Sequence, residues 1–171
     1  MTGPHLSRWA RLVPPHLVRL GPLLACLLCV TLSAAAPATA HTADEVRALV
    51  ERAAAHIRTV GPARAFADIS RPDGDFVDGD LYVFCDSPDG TVLAHGGNPK
   101  LVGKNLAGVR DADGTHPILE VVRLGLVQGQ GWLDYLWPNP DVGRVQRKMT
   151  YVLRIDDRTV CGSGYYEASP P

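Results

Sequence analysis

The residues that could do chemistry gather in one stretch, GWLDYLWPNP, Gly131 to Pro140. It holds Trp132, Tyr135 and Trp137, and the third tryptophan of the chain, Trp9, lies in an N-terminal leader. Read as a strand, its alternation puts Leu133, Tyr135 and Trp137 on one face and Trp132, Asp134 and Leu136 on the other. Asp134 prefers water, so the Tyr135 and Trp137 face is expected to be buried. In the following strand-like run KMTYVLRI, Met149, Tyr151 and Leu153 share one face, and Lys148 and Thr150 share the other. A hairpin would bring Tyr135, Trp137 and Tyr151 together, and a bulge near Pro138 would turn Lys148 towards them. Tyrosine hydroxyls and an indole N–H are donors that seek partners when buried. Around a cavity they suit a carboxylate, and a lysine adds a charge-assisted bond. On a plain sheet the same cluster is core, and the residues alone leave both readings open.

His95 ends a strand-like TVLAH at the mouth of a long Gly, Asn and Asp-rich crossing, where it would stand over the same sheet. Arg110 and Lys100 on that crossing are further candidates, with a solvated role as the alternative for each; Trp132 is a weaker candidate than Tyr135 because alternation turns it away. DADG, Asp111 to Gly114, opens like a calcium loop but has Val122 where the last ligand must be acidic, so it reads as a turn. The histidines and cysteines show no metal-ligand spacing. Ser163 lies in GSG, without the G-x-S-x-G of a nucleophile elbow. No set of nucleophile, base and orienter emerges, so no catalytic residue, metal or cofactor is expected and the chain does not read as an enzyme.

These side chains must be positioned by a small exported domain. Arg8, Arg11 and Arg19, the apolar LLACLLCVTLSAAA and the ATA ending at Ala40 read as a signal peptide over residues 1–40, cleaved after Ala40. Retention as an anchor, or lipidation at Cys26, are the alternatives. Cleavage takes 40 of the 171 residues and leaves 131, enough for one domain over 41–171. Without the three leader arginines, 14 basic residues face 18 acids. No basic patch emerges, so nucleic acid is not an expected partner. No second apolar span follows, so the mature chain is expected to be secreted, or extracytoplasmic, without a membrane span. Cys85 and Cys161 remain, as a disulfide or as two buried thiols.

HTADEVRALVERAAAHIRTVG is a helix capped by Thr42, with Asp44 and Glu45 in its first turn and apolar residues every three or four, ended by Gly61-Pro62. ARAFADIS adds a short helical turn, and RPDGDFVDGD is a turn-rich loop. The period then changes: DLYVFCD and TVLAH flank the turn SPDG as a hairpin. PILEVVRLGLVQG is a second helix opened by Pro117. GWLDYLW, KMTYVLRI and TVCGSGYY form a meander, with PNPDVGR as the loop between the first two. The elements describe an α+β domain, one antiparallel sheet with helices on it.

The ordered set GDLYVFCDSPDGTVLAHGGNPKLVGKNL, DADG, GWLDYLWPNP, KMTYV and CGSGYY resembles the single Cache domain, in its smaller single-module subtype, from about Ala43 to Tyr166. The resemblance implies a PAS-like fold: a five-stranded antiparallel sheet in the order 2-1-5-4-3 behind a long N-terminal helix. It implies extracytoplasmic sensing of a small molecule, a short organic acid above all, on behalf of a membrane signalling partner such as a chemoreceptor. It brings the ends of the first and fifth strands together and so favours the Cys85–Cys161 disulfide. It also gives His95, Tyr135, Trp137, Lys148 and Tyr151, with Trp132 and Arg110 beside them, a role as pocket wall. Where the family carries AHP this chain has AHG, and Gly96 is expected to loosen the loop. The alternative function is a structural or protein-interaction module on the same scaffold, without a working pocket.

Overall fold

A computed structural model describes residues 41–167. The expected leader, residues 1–40, and the last four residues lie outside the described part. Helix α1, Ala43–Val60, starts in a capping box: the Glu45 N–H donates to Thr42 Oγ1 at 3.3 Å, and the Thr42 N–H donates to Glu45 Oε2 at 2.7 Å. Its buried stripe is Val46, Leu49, Val50, Ala53, Ala54 and Ile57. Gly61, at φ 81°, ends it, and Pro62 opens α2, Pro62–Ile69.

Two strands of two residues each, β1 (Val77–Asp78) and β2 (Leu81–Tyr82), pair as a ribbon. Then come β3 (Phe84–Asp86), β4 (Val92–His95), α3 (Pro117–Gln128), β5 (Gln130–Asn139), β6 (Arg144–Asp156) and β7 (Thr159–Tyr166). The main sheet is antiparallel in the order β4-β3-β7-β6-β5, which is the expected 2-1-5-4-3. Two details differ from the sequence reading. The expected first strand is split at Val83 between the ribbon and the sheet. The PNPDVGR loop shrinks to the turn Pro140–Gly143, because β5 and β6 pair as far as Asn139 and Arg144.

Both sheet faces are covered. α1 and α2 cover one, over Val83, Cys85, Ala94, Tyr151 and Cys161. α3 and the crossing 96–116 lie towards the other, where Tyr82, Phe84, Tyr135, Val152, Val160 and Tyr166 are buried. Cys85 and Cys161 are direct cross-strand partners on the α1 side and are joined by a disulfide, their Cα atoms 4.0 Å apart. On the other side α3 approaches β7 closely: a Cβ on Gly125 would stand 2.5 Å from Val160 Cγ1.

Candidate functional site

The face under the crossing is set by strand parity. In β2 and β3, Leu81, Val83 and Cys85 turn to the α1 side, and Tyr82, Phe84 and Asp86 to the other. His95 is the cross-strand partner of Phe84 and joins that face. In the β5–β6 ladder Tyr135 is opposite Lys148, and Lys148 is in turn opposite Tyr166 on β7. Partners in a ladder share a face, so Tyr135, Lys148 and Tyr166 form one row beside Tyr82.

Lys148 is fully buried, and its Nζ meets no hydrogen-bond acceptor. It rests instead on aromatic faces, 3.6 Å from the Tyr82 ring centre, 4.8 Å from that of Tyr166 and 5.8 Å from that of Phe84. Burial drives its pKa well below the ordinary lysine range, and the Asp80 charge opposes that shift. The aromatic frame is itself fixed: the Tyr166 hydroxyl donates to the Pro138 carbonyl at 2.8 Å, which leaves the Tyr82 hydroxyl, 3.0 Å away, to donate to Tyr166.

His95 is 5% exposed and stacks near Tyr82, ring centres 4.9 Å apart. The Asn98 backbone N–H donates to its Nδ1 at 2.9 Å. A backbone N–H cannot accept, so the neutral ring carries its proton on Nε2. Burial first, then the Lys148 charge, push the His95 pKa down to about 3, so the ring stays neutral at physiological pH.

A cavity of about 540 Å³ opens beside this row. Its walls are Tyr82, His95 and Trp137 from the sheet, Leu101, Leu106, Val109 and Arg110 from the crossing, and Leu136 and Pro138 from β5. Adjoining it, against more deeply buried residues of the sheet, lies a second space of about 10 Å³, sharing Tyr82, His95, Leu106 and Trp137 and adding Phe84, Tyr135 and Asp86. Lys148 lines neither space; it stands one side chain back, behind Tyr82 and Phe84. The crossing is held over the opening by Asp111, whose Oδ2 accepts the Leu136 N–H at 3.2 Å. Arg147 adds two bonds, to Asp113 at 2.8 Å and Asp134 at 2.5 Å. The wall is therefore mostly apolar, with an imidazole and phenol groups at one end and the buried Lys148 behind their rings. Such a site can hold a small organic anion by its head and an aliphatic tail by the crossing.

The structure thus brings His95, Tyr135, Trp137 and Lys148 to one place, with Arg110 exposed at the rim and its guanidinium bonded to the Gly114 carbonyl. Tyr151 is not there. It is the cross-strand partner of Trp132, and both lie on the α1 side, ring centres 5.3 Å apart, with the Tyr151 hydroxyl on Gln130 and Arg47 over its ring. The expected grouping of Tyr151 with Tyr135 and Trp137 fails because that register gives Tyr151 the parity of Trp132. For the same reason Lys148 reaches the site by plain alternation, with no bulge at Pro138. Gly96 does not loosen its loop either: its N–H donates to the Val83 carbonyl at 2.9 Å, and a Cβ there would stand 2.7 Å from Val77 Cγ2. Lys100 belongs to a single 3-10 turn, Pro99–Leu101, and is exposed.

Sequence reasoning missed Tyr82, Tyr166 and Asp86. The signal for Tyr82 and Asp86 is alternation along DLYVFCD, which groups a carboxylate with Tyr82 and Phe84 and separates it from Val83 and Cys85; Tyr166 has no such local signal. Ser163 is buried and donates its hydroxyl to the Tyr82 carbonyl at 2.8 Å. Among the described residues no three His, Cys, Asp or Glu side chains are placed to hold a metal ion, and no helix is long and apolar enough to cross a membrane.

Known proteins share this architecture. The model of the Cache domain family matches residues 72–167. The methyl-accepting chemotaxis protein McpP of Pseudomonas putida is 31% identical over 90 residues, which are 52% of this chain and 16% of that protein. This chain therefore matches only a small part of that relative's length. Among solved structures, a methyl-accepting chemotaxis protein of Vibrio parahaemolyticus has a TM-score of 0.63 at 22% identity, covering 72% of this chain and 86% of the other. A Cache chemosensory domain studied for carboxylic acid recognition has a TM-score of 0.62 at 24% identity, covering 73% and 92%. A periplasmic sensor domain of a chemotaxis protein has a TM-score of 0.57 at 29% identity, covering 71% and 88%.

Proposed function

The chain belongs to the Cache domain family, and from that premise we propose that it is an extracytoplasmic sensor domain that binds a short organic acid. The observation that carries the reading is Lys148, a fully buried lysine whose Nζ has no acceptor. An unpaired buried charge costs several kcal/mol, and natural proteins keep such groups where function needs them. A carboxylate seated at the inner end of the cavity, with the Tyr82 and Phe84 rings between, supplies a counter-charge that favours the protonated form of Lys148. The Nε2–H of His95 supplies a neutral donor, and Leu101, Leu106, Val109 and Leu136 receive an aliphatic tail. The fold neighbour studied for carboxylic acid recognition supports the same ligand class. Export with removal of residues 1–40, binding rather than catalysis, and transmission to a membrane signalling partner complete the proposal.

Thermal unfolding of the mature protein against a panel of short monocarboxylates, their amides and matching amines tests it. A carboxylate at 100 times its dissociation constant stabilises by about 2.7 kcal/mol, and its amide, which lacks the charge, is expected to give a much smaller shift. A melting point unmoved by every carboxylate would leave the scaffold as a protein-interaction module and sink the proposal.

A further inference from the structure

Asp86 is 1% exposed, and its Oδ2 meets no donor. It lies on the same strand face as Tyr82 and Phe84 and lines the inner space of about 10 Å³. That volume admits about one water-sized group, so whatever enters it touches Asp86. The titratable side chains around it are Tyr82 from β2, His95 from β4 and Tyr135 from β5. The other elements packed there present Ile118 from α3, Leu106 from the crossing and Val160, its cross-strand partner on β7. None of these carries a positive charge at neutral pH: burial holds both phenols protonated and the imidazole neutral. The Lys148 charge acts on His95, whereas burial alone acts on Asp86 and pushes its carboxyl up to about 8.

We propose that Asp86 is a ligand-binding residue of this cavity, a neutral carboxylic acid that donates its O–H to one oxygen of the bound organic acid. The proposal rests on the reading of the cavity as a short-carboxylate site and deepens it. An ionised Asp86 would repel an anion, and with no cation to pair with it has no reason to be ionised in a dry site. As an acid it is a donor that lines, together with His95, a space sized for a single oxygen. The ligand's carboxylate head then points inward, and its tail points out into the wider cavity. A consequence is proton linkage: binding needs the Asp86 proton, so affinity falls as pH rises through the Asp86 pKa.

Calorimetric titration of the mature protein with propionate from pH 6 to pH 9 reads this out. The wild type is expected to lose about tenfold in affinity between pH 7 and pH 9, the change in the protonated fraction of a group titrating at about 8. Asp86→Asn keeps a donor of the same shape and cannot titrate. Whatever its affinity at pH 7, it is expected to lose several-fold less than the wild type across the same range. Lys148 is common to both proteins and cancels in their ratio. Parallel pH profiles overturn the proposal, and so does tighter binding by D86N at pH 6, which would mean an ionised Asp86 opposing the anion. Should D86N not fold, the infrared carbonyl band of a protonated carboxyl group in the wild type at pH 7 decides. It is expected, and expected to move when carboxyl-labelled propionate is added; its absence overturns the proposal. No binding of propionate or any other short monocarboxylate by the wild type at any pH overturns the cavity reading along with it, whereas binding with a pH profile shared by D86N overturns the role of Asp86 alone.

Discussion

Replacing Lys148 by Met separates a binding cation from a structural one. Two terms act on stability and oppose each other. Losing a desolvated ammonium from the faces of Tyr82 and Tyr166, 3.6 and 4.8 Å away, removes cation–π attraction of about 2 kcal/mol. Removing a buried donor without an acceptor relieves a cost of about 1–3 kcal/mol, or more for a charged group. Met fills a similar volume, so K148M should unfold within about 2 kcal/mol of wild type. Binding should suffer alone. A charge attraction across the Tyr82 ring worth about 2 kcal/mol corresponds to about thirtyfold in affinity. At a carboxylate concentration 100 times the wild-type dissociation constant, the ligand's stabilisation should drop from about 2.7 to about 0.9 kcal/mol. Denaturant melts with and without ligand, backed by calorimetry, give both numbers. The sign of the pH effect adds a control. Burial lowers the folded-state pKa of Lys148, so between that pKa and the ordinary lysine value the unfolded chain binds the extra proton. Wild-type stability relative to K148M should therefore rise with pH across that window. A loss of 3–5 kcal/mol on substitution, the range for breaking a buried ion pair, would refute the reasoning. Unchanged carboxylate affinity would refute it equally.

Three structural predictions accompany it. Cys85 and Cys161 are 76 residues apart in sequence, and chain entropy gives their bond about 4.5 kcal/mol; the double Ala variant should lose several kcal/mol in urea unfolding, and a loss under about 1 kcal/mol counts against that loop-closure account. Gly125→Ala puts a Cβ 2.5 Å from Val160 Cγ1; overpacking there should cost about 1–3 kcal/mol in thermal or urea unfolding, and an unchanged melt would show that α3 can shift freely. Thr42→Ala removes half of the capping box of α1 and should cost about 1 kcal/mol, measured by the same melt; no loss would mean that the helix start is held by other contacts.

Most of the fold was legible because its signals are local. Thr42 and Glu45 announce α1 three residues apart, Gly61-Pro62 ends it, and the period then changes from helical to alternating at Leu81. The site was legible only by half. Alternation within β5 assigns Tyr135 and Trp137 to one face without help from any other segment. Which face of β6 meets them is decided by pairing, and pairing is decided by where the hairpin closes. Read as a seven-residue loop, PNPDVGR leaves the register open. In the structure the turn closes at Asn139 and Arg144, and that one fact sends Lys148 to the cavity side of the sheet and Tyr151 to α1. Tyr82 and Tyr166 are harder still: they meet through their hydroxyls from positions 84 residues apart, a contact that no local pattern encodes.

The register that aims the cavity residues is secured from the opposite side of the sheet. A slip of one residue between β3 and β7 would exchange Phe84 and Asp86 for Cys85 on the cavity face. The Cys85–Cys161 bond joins direct cross-strand partners on the α1 side and forbids that slip. The glycines of CGSGYY reinforce it. Gly162 is opposite Phe84, and a Cβ there would stand 2.7 Å from Phe84 Cζ; a Cβ on Gly164 would stand 2.7 Å from Thr150 Oγ1. The missing side chain at Gly162 lets the Phe84 ring lie across β7, next to the Lys148 side chain, and that at Gly164 lets β7 sit close to β6. The same eight-residue strand thus carries the lock on one face and the space on the other, and Tyr166 at its end anchors Tyr82. Burying Lys148 on β6 without a partner costs stability, and the covalent bond between β3 and the neighbouring β7 offsets that cost in the same sheet. Conserving the cavity's geometry in this chain therefore depends as much on Cys161, Gly162 and Gly164, which touch no ligand, as on the side chains that would.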